Sequence, residues 1–345
     1  MAKAVKLADI GERLNVSVVT VSKALSGQKG VSEEMRRKIV TLAEEMGYIR
    51  PSRERAEERK NYTLGVIVAD RYLRENQSFY WKLYQEISTR AISKKCFTIL
   101  EVISYEAEKG RETPKIITEQ KVDSVIIMGT FKSEYVDYLT HTVTIPFLSL
   151  DTSSAADSCD AVVSNNLMGG YRMTNYLFEM GHKKIGFVGT RLATNSIDDR
   201  YFGYLKSLME HGVPRREEWV IDDRDREYGK IDVDKKFLLP QDMPTAFFCN
   251  CDLSASLMMK KLNEAGYSVP RDISVAGFDN FVTDQFGEVG ITTYEINTRE
   301  MAKRAVKILL HKMENSNYTA GMFMVGGTFI ERGSVERVGP PVPFC

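Results

Sequence analysis

Apolar residues near the start of the chain recur at the spacing of one helix face. Ile10 and Leu14 lie four residues apart, and the spacing resumes at Val21 after a polar break. Ser17 stands just before this second stretch, where a hydroxyl can accept a backbone N–H and cap a helix. The pattern therefore predicts two short helices joined by a tight turn within residues 7–25.

A third helix is predicted directly afterwards. Ser32 opens an acidic first turn that suits a helix N-terminus, and Gly47 is placed to end the helix. Three such helices can close a small core, and a second helix with an exposed start fits a major groove about 12 Å wide. The pattern predicts an all-α helix-turn-helix head, although many proteins use such a helical pair only as a structural hairpin. The core positions of the third helix are Met35, Ile39, Leu42 and Met46.

Residues 50–61, RPSRERAEERKN, are polar apart from one proline and one alanine, and they predict a linker. Beyond them, short apolar runs alternate with helical stretches, which is typical of parallel sheets covered on both faces. The runs form two sets and predict two doubly wound lobes, with a ligand cleft at the carboxyl ends of the strands. The first set spans residues 64–69, 97–103, 122–129 and 145–151, and the second spans 184–189, 218–222, 245–250 and 273–279.

Composition limits the class of protein. The chain has 345 residues, 43% of them hydrophobic, and is too long for one small domain. No apolar run approaches the roughly eighteen residues of a membrane helix, and the first residues lack the apolar core of a signal peptide, so we expect a cytoplasmic protein. The net charge is zero, but residues 1–61 hold thirteen lysines and arginines against nine aspartates and glutamates. An excess of positive charge therefore lies in the part of the chain that is predicted to bind DNA.

Metal and catalytic motifs have little support in this sequence. Cys249 and Cys251 form the one close cysteine pair and could ligate a metal, but two small residues at the end of a buried strand fit better. The four histidines are scattered, and His182 falls in a predicted surface turn before a strand. Hydrolase, zinc-protease, Walker and Rossmann fingerprints are absent from the sequence. We therefore predict no enzyme, metal or cofactor; the alternative is a cytosolic sensor or α/β enzyme without operator binding.

Several motifs follow one another in a specific order: VSVVTVSKALSGQKGVSEEMRRKI, GYIRP, LGVIV, NYLFEMGHKKIGFVG, DRYFGY and VPRDISVAGFDN. In this order, over nearly the full chain, they resemble the lactose and galactose repressor (LacI/GalR) family. The resemblance implies a homodimeric repressor of carbohydrate-uptake or catabolic genes that binds pseudo-palindromic double-stranded operator DNA. It also implies a core similar to periplasmic sugar-binding proteins, in which a small effector, usually a sugar or its derivative, changes the lobe arrangement.

The resemblance and the apolar pattern together give the expected architecture. An all-α helix-turn-helix head, residues 1–49, is joined by the linker to an α/β core of two doubly wound, periplasmic-binding-protein-like lobes. This core, residues 62–345, is expected to bind the effector and to dimerise. We expect the first lobe to contain residues 62–162 and 292–320, and the second to contain residues 163–291 and 321–345.

For the head, the resemblance implies base contacts from Val18, Val19 and Lys23 of the second helix. The family usually has arginine or another polar residue at position 23; lysine can still meet guanine acceptors, but as a point charge without a planar fork. The valines offer only methyl contacts, which suit thymine, and the alternative is that they fill the domain core. The implied phosphate contacts are Ser17, Thr20, Ser22 and Ser32.

The linker departs from the family pattern. The family usually has a leucine in a short hinge helix that wedges into the minor groove, whereas residues 56–58 are Ala-Glu-Glu. Intercalating side chains unstack a base step and bend the site. We therefore expect weaker operator bending than for a leucine-bearing relative, and we expect leucine at Glu57 or Glu58 to restore it.

For the effector site, the resemblance carries over most securely to Arg200 in DRYFGY and Asp279 in GFDN. A guanidinium donates in a fork and a carboxylate accepts, so the pair suits hydroxyl groups. Two alternatives stay open. Asp279 could be only a turn residue at a strand end, and Arg200 could pair with Asp198 or Asp199.

Other positions depart from the family. Cys251 stands where the motif Ala-Asn-Asp usually supplies a polar contact, and Asp252 follows it. Arg224 falls about where an aromatic residue often stacks on a sugar ring, which leaves room for an anionic ligand. Trp81 fits a helix core as well as a binding surface. The expected effector residues are Phe79, Arg200, Arg224, Cys251, Asp252 and Asp279, with aromatic surface from Tyr72 and Tyr80.

Overall fold

A computed structural model describes residues 7–14, 16–25, 31–46, 61–73, 79–153, 160–226, 228–281, 289–315 and 318–339. The chain divides into two compact units, residues 1–60 and 61–345. Residues 50–60 of the predicted linker, including the hinge positions, lie outside the described residues. The side chains of Val19 and Ser22 are likewise not described.

The first unit contains the three predicted helices, α1 (Leu7–Leu14), α2 (Val18–Leu25) and α3 (Glu33–Glu45). Ser17 caps α2, because its Oγ accepts the backbone N–H of Thr20 at 3.1 Å. Ser32 Oγ accepts the backbone N–H of Met35 at 3.3 Å and caps α3 in the same way. The helix-turn-helix prediction is therefore confirmed. The buried core residues are Ile10, Val21, Ala24, Ile39 and Ala43.

Two contacts fix how these helices meet. The backbone N–H of Val16 donates to the carbonyl of Gly11 at 2.9 Å, and a Cβ at Gly11 would lie 2.7 Å from the Val16 carbonyl oxygen. The turn therefore requires glycine at this position. Arg36 of α3 donates to the carbonyl of Ala24 at 2.7 Å, which joins α3 to the end of α2.

The second unit alternates strands and helices. Its strands are β1 (Thr63–Ala69), β2 (Phe97–Ile103), β3 (Ser124–Met128), β4 (Phe147–Leu150), β5 (Asp160–Ser164), β6 (Ile185–Val188), β7 (Val220–Ile221), β8 (Ala246–Cys249), β9 (Ser274–Ala276), β10 (Thr293–Glu295), β11 (Met322–Val325) and β12 (Thr328–Ile330). Its helices are α4 (Phe79–Ile92), α5 (Tyr105–Gly110), α6 (Lys115–Thr118), α7 (Ser133–Thr142), α8 (Asn166–Glu179), α9 (Asn195–Glu210), α10 (Val233–Lys236), α11 (Asp252–Glu264) and α12 (Thr298–Glu314).

The strands form two parallel sheets, which confirms the predicted α/β core. A six-stranded sheet, in the order β11-β5-β4-β3-β1-β2, defines the first lobe, and a four-stranded sheet, in the order β7-β6-β8-β9, defines the second. Strands β10 and β12 pair separately and antiparallel. Strand β3 is buried along its whole length, as expected for a parallel strand covered on both faces.

One part of the expected lobe division is wrong. Strand β11, Met322–Val325, pairs with β5 in the first sheet, whereas residues 321–345 were expected in the second lobe. Strand β5 also continues to Ser164, beyond the expected boundary at residue 162. A short apolar run predicts a strand, but the sheet it joins depends on which strand edge is open, and the pattern does not contain that information.

His182 lies just after a turn and before β6, as expected, but the expectation that it is on the surface is wrong. The ring is buried, with Nδ1 3.0 Å from Thr245 Oγ1 and Nε2 3.1 Å from the carbonyl oxygen of Glu336. Burial lowers the pKa of this histidine. A polar turn was expected because the sequence around it is charged, but the C-terminal segment returns to cover the ring.

The described ranges contain neither a membrane-spanning helix nor a metal-binding cluster. None of the helices in them is long and apolar enough to cross a membrane. Nor do they contain a group of three or more side chains able to hold a metal ion. Cys249 is buried at the end of β8, as expected for a small strand-end residue.

Candidate functional site

The exposed face of α2 is the candidate DNA-reading surface. Val21 is fully buried, whereas Val18 is 47% exposed and Lys23 is exposed as well. The alternative that Val18 fills the domain core is therefore wrong. Ser17 Oγ lies 2.9 Å from Thr20 Oγ1, so both hydroxyls lie at the N-terminus of the helix, where backbone N–H groups also attract phosphate.

Replacement of Lys23 by alanine is expected to weaken DNA binding by roughly 1–3 kcal/mol per head if the lysine contacts a base. The preference at one position of each half-site should relax, because only that base pair loses a contact. Binding to a library of single-base variants of the operator measures both effects. Lys38 of α3, an exposed lysine paired with Glu34, provides the matched control. Equal losses for all base variants would identify Lys23 as a phosphate contact instead.

The carboxyl ends of the two parallel sheets face each other, and we call the region between them the cleft. The carbonyl oxygen of Ser153, three residues beyond the end of β4, accepts a hydrogen bond from Asn195 Nδ2 of the second lobe at 2.9 Å. Tyr105 follows β2 and meets the ring of Tyr228, which follows β7, with centroids 4.9 Å apart. Because these contacts join residues that follow strands of opposite lobes, the two carboxyl edges face each other.

Arg200 occupies the second-lobe side of this cleft and is only 5% exposed. Its Nε donates to Asn166 Oδ1 at 2.9 Å, and its Nη1 donates to the carbonyl of Asn250 at 2.7 Å. The guanidinium carbon lies 4.1 Å from the centroid of the Phe278 ring. Burial raises the pKa of Asp199 and the charge of Arg200 opposes that rise, but among the described residues no hydrogen bond or ion pair joins Arg200 to either of the two preceding aspartates.

Two glycines, missed as functional residues in the sequence, position Arg200. A Cβ at Gly203 of α9 would overlap the carbonyl oxygen of Leu167 in α8, and a Cβ at Gly170 would overlap the carbonyl oxygen of Arg200. The helix backbones therefore meet directly at this crossing. The signal was present as glycines within two helical stretches, but helical periodicity does not show which helices cross.

Asp151 is a further site residue that the sequence reasoning missed. It follows β4 with a left-handed backbone (φ 62°), and Tyr80 donates its hydroxyl to Asp151 Oδ2 at 2.9 Å. Oδ1 is buried and has no hydrogen-bond partner among the described residues. Burial raises the pKa of this carboxyl, and the charge of Arg200 opposes the rise. An unpartnered buried carboxylate oxygen is costly, and a ligand donor would satisfy it.

Asp279 approaches Arg200 from the end of β9. It also has a left-handed backbone (φ 90°), and its Oδ1 accepts the backbone N–H of Phe281 at 3.0 Å. One oxygen of Asp279 therefore does stabilise the turn after the strand, as the alternative interpretation of this residue expected. Burial raises the pKa of this carboxyl to about 6, Arg200 opposes the rise, and Asp151 adds to it. The charge of one guanidinium thus acts on two carboxyls that follow strands of opposite lobes.

Arg224 has a partner that the sequence reasoning missed. Its Nε and Nη2 donate to the two carboxylate oxygens of Asp223, at 2.9 and 2.7 Å, and Nη2 lies 3.2 Å from Asn250 Oδ1. Burial alone would raise the pKa of Asp223, but the charge and hydrogen bonds of Arg224 hold it below its usual range. The positive charge that suggested an anionic ligand is therefore already matched by a buried carboxylate.

Cys251 and Asp252 begin α11 at the second-lobe edge. Cys251 Sγ accepts the backbone N–H of Ser254 at 3.4 Å and lies 3.7 Å from Arg224 Nη2. Asp252 is fully buried, and its Oδ1 accepts the hydroxyl of Thr293 at 2.6 Å. Burial and the nearby Asp279 raise the pKa of Asp252 well above its usual range. Cys251 therefore belongs to the wall of the cleft, and Asp252 lies behind it.

Aromatic residues follow the first-lobe strands. Phe79 begins α4 half-buried, and its ring centroid lies 5.3 Å from that of Tyr80. The rings of Tyr72 and Tyr80 are 4.4 Å apart. Trp81 is 42% exposed, so it is not a core residue of its helix. The aromatic surface expected near the first strand is therefore present beside Asp151.

Two family models match the chain. The bacterial regulatory proteins of the lacI family match residues 6–51, and the periplasmic binding protein-like domain matches residues 174–335. The chain belongs to the LacI family. The first model describes the helix-turn-helix head and the second describes part of the two-lobed core, and the chain is a DNA-binding transcriptional regulator.

Curated relatives cover nearly the whole regulator. It is 23% identical over 330 residues to the HTH-type transcriptional repressor PurR of Photobacterium profundum, covering 95% of this chain and 98% of that protein. It is 28% identical over 344 residues to PurR of Klebsiella pneumoniae, covering 97% and 98%. These relatives are transcriptional repressors and not enzymes, so the alternative that this chain is an α/β enzyme is not supported.

Solved structures of similar fold include other LacI-type regulators. A complex of the transcriptional regulator CelR with cellobiose has a TM-score of 0.66 at 20% identity, covering 96% of this chain and 99% of that one. The lac repressor dimer bound to operator and the anti-inducer ONPF has a TM-score of 0.64 at 20% identity, covering 97% and 100%. LacI-family regulators bind operator DNA and small-molecule effectors and act as dimers.

Proposed function

We propose that this LacI-family regulator is a homodimeric repressor whose cleft binds a small, neutral, polyhydroxyl effector such as a sugar. The observation that carries the proposal is that the guanidinium of Arg200, 4.1 Å from the ring of Phe278 beside Asp279, acts by its charge on carboxyls of both lobes, Asp151 and Asp279. Carboxylates accept from hydroxyl groups and a guanidinium donates to them, so one polyol can engage all three. A ligand held in this way joins the lobes.

Charge favours a neutral ligand over an anionic one. Asp223 and Arg224 form a bidentate pair with no net charge, so Arg224 adds little attraction for an anion. Of the groups that the proposal assigns to the ligand, this leaves two carboxyls, Asp151 and Asp279, and the one guanidinium of Arg200. An anion would meet more negative than positive charge in a buried site, where like charges repel strongly. The anionic sugar derivative considered from the sequence is therefore disfavoured.

The proposed dimer has a candidate surface on the first lobe. Strand β2 is an edge strand, and Val102 within it is 48% exposed, while Trp81 of the neighbouring α4 is exposed as well. An exposed apolar edge suits a second copy, and two heads are needed to read a symmetric site. Sedimentation should give a dimer for the unmodified chain and a larger monomer fraction for Val102→Glu.

Thermal-shift screening tests the proposed ligand class. Neutral sugars, sugar acids, sugar phosphates and amino sugars form the panel. A bound ligand should stabilise the core by about 2.7 kcal/mol at a hundredfold excess over its dissociation constant. We expect neutral sugars to stabilise and sugar phosphates not to. Stabilisation by phosphates or acids alone would contradict the proposal.

Regulation requires that the ligand distinguish two states, since a ligand of equal affinity for both shifts nothing. The operator dissociation constant should therefore change on ligand addition, within the roughly 5- to 150-fold range of ordinary allosteric coupling. Titration of labelled operator with and without the stabilising sugar measures the change. An unchanged constant at saturating sugar would contradict the regulatory role of the cleft.

Ligand affinity is expected to fall as the pH drops through about 6, the pKa to which burial raises the Asp279 carboxyl. A ligand hydroxyl donates to the ionised carboxylate, so protonation of Asp279 competes with binding. The affinity should decrease about tenfold between pH 7 and pH 5, as expected for one linked proton. Calorimetry at several pH values measures it. Asp279→Asn does not titrate and should reduce this slope; the same slope in both proteins would exclude Asp279 as its source.

A further inference from the structure

A segment of the second lobe crosses to the first lobe at the mouth of the cleft. We call this segment, residues 224–226 and 228–231, the strap. The backbone N–H of Asp225 donates to the carbonyl of Lys230 at 2.8 Å, and that of Gly229 donates to the carbonyl of Asp225 at 3.0 Å. Asp225 Oδ1 accepts the backbone N–H of Tyr228 at 2.8 Å. Hydrogen bonds therefore join the described residues of the strap to one another.

The base of the strap lies in the wall of the cleft. Arg224, its first residue, is held by both oxygens of Asp223 and lies near Asn250 and Cys251. Arg224 and Ile231 form an isolated bridge that closes the turn at its base. The strap therefore starts beside the proposed ligand site and projects from it as a unit.

The tip of the strap contacts an aromatic residue of the first lobe. Tyr228 is 50% exposed, and its ring centroid lies 4.9 Å from that of Tyr105, with an angle of 40° between the planes. Lys132 Nζ lies 4.5 Å from the centroid of Tyr105, so Tyr105 has a second neighbour within its own lobe. An aromatic pair of this geometry is attractive beyond its burial of apolar area.

The first lobe offers the strap a fixed surface. A Cβ at Gly229 would lie 3.3 Å from Cδ of Arg71, so the strap backbone passes close to the Arg71 side chain. Arg71 in turn donates to the buried carboxylate of Glu108 at 2.6 Å and to the carbonyl of Thr130 at 2.6 Å. Because both bonds hold Arg71 in place, the strap closes against a rigid edge.

We infer that Tyr105 and Tyr228 limit the size of the ligand to a single sugar ring. This inference rests on the proposed function, since it assigns a specificity role within the same cleft. The strap that carries Tyr228 starts at Arg224, 3.7 Å from Cys251 in the cleft wall, so the tyrosine pair lies across the way out of the proposed site, and a ligand with a second ring would extend into that pair. Alanine at either tyrosine removes the contact and opens the mouth.

The alkylation rate of Cys251 measures how open the mouth of the cleft is, and this measurement does not require the ligand to be identified. Cys251 lies in the cleft wall beside Arg224, whereas Cys96 and Cys249 are buried. In the full chain with Cys159→Ser and Cys345→Ser, its alkylation is measured with iodoacetamide and with the much larger fluorescein maleimide. For Tyr228→Ala and Tyr105→Ala, the rate with the large reagent should rise about fivefold to tenfold, as expected from loss of one aromatic pair. The rate with iodoacetamide should change far less.

Tyr171→Ala, at a tyrosine of α8 that hydrogen-bonds Glu210 outside the cleft, is the matched control and should leave both rates unchanged. Equal effects of Tyr228→Ala on the two reagents, or no effect on either, would overturn the role of the strap. This outcome does not depend on which ligand the protein binds.

Thermal shifts with D-ribose, D-glucose, cellobiose and maltose test the size limit itself. The unmodified chain should be stabilised by a single-ring sugar only, and Tyr228→Ala should gain a response to a disaccharide. Stabilisation of the unmodified chain by cellobiose or maltose would overturn the size limit while supporting the proposed function. If no sugar stabilises either protein, the size limit for sugars fails together with the proposed function, and the alkylation rates alone decide whether the strap covers the cleft.

Discussion

Replacement of Asp279 by alanine is expected to abolish the response to the effector while operator binding is retained. The carboxylate faces Arg200 across a buried site, so its loss removes a charge-assisted acceptor for a ligand hydroxyl. The ligand affinity should fall on the order of 100-fold, because a hydrogen bond to a charged group contributes about 1.5–3 kcal/mol. DNA binding should persist because the helix-turn-helix belongs to the separate compact unit, residues 1–60.

Asp279→Asn separates the two roles of this residue. Asparagine can still accept the backbone N–H of Phe281 and tolerates a left-handed backbone, so the turn is preserved. Calorimetry with the sugar and gel-shift titration of the operator measure the two activities of each variant. If both variants keep full ligand affinity, Asp279 is only a turn residue, and the ligand site is misassigned.

Replacement of Gly203 by alanine is expected to destabilise the core. At an ordinary helical position this change stabilises a protein by up to about 1 kcal/mol. At this crossing the new methyl group would overlap the carbonyl oxygen of Leu167, so α8 and α9 must separate. Overpacking of this kind typically costs about 1–3 kcal/mol. The expected change in the free energy of unfolding therefore has the opposite sign to the change at an ordinary helical position, and the two cases are easy to tell apart.

Calorimetric unfolding measures this effect, and the core transition should move down by several degrees, about 2–4 °C for each kcal/mol. Gly326→Ala is the matched control, because a Cβ there would contact nothing within 4 Å. The Gly203 variant should also lose ligand affinity, since separation of the helices disturbs the bond from Arg200 to Asn166. An unchanged or higher unfolding temperature would show that the crossing is not close-packed.

Local patterns were sufficient for the head and for most of the sheet elements. Ser17 caps α2, and Val21 is buried, because capping and helical periodicity depend on residues within a few positions of each other. The alternation of buried runs and helices likewise predicted both parallel sheets. Arg200 and Asp279 were predicted through the family resemblance, and the structure brings them close together in one cleft.

Pairings between distant residues could not be predicted. Asp151 lies at a strand end that many sequences share, and only the fold brings it near Arg200. Arg224 was considered without Asp223, because two adjacent charges can point in any direction until the backbone is fixed. Strand β11 joined the other lobe, since sheet membership depends on an open edge rather than on local pattern.

We propose that two copies of this chain act together as a symmetric pair of DNA-reading heads. Selection of binding sites from a random duplex library, with the full chain and sequencing of the recovered DNA, tests it most directly. We expect one motif with two inverted half-sites, because a dimer mirrors its own symmetry in the operator. Lys23→Ala should then recover the same spacing with a relaxed base at one position of each half-site. Recovery of no enriched motif, or of a single unrepeated half-site, would contradict the account.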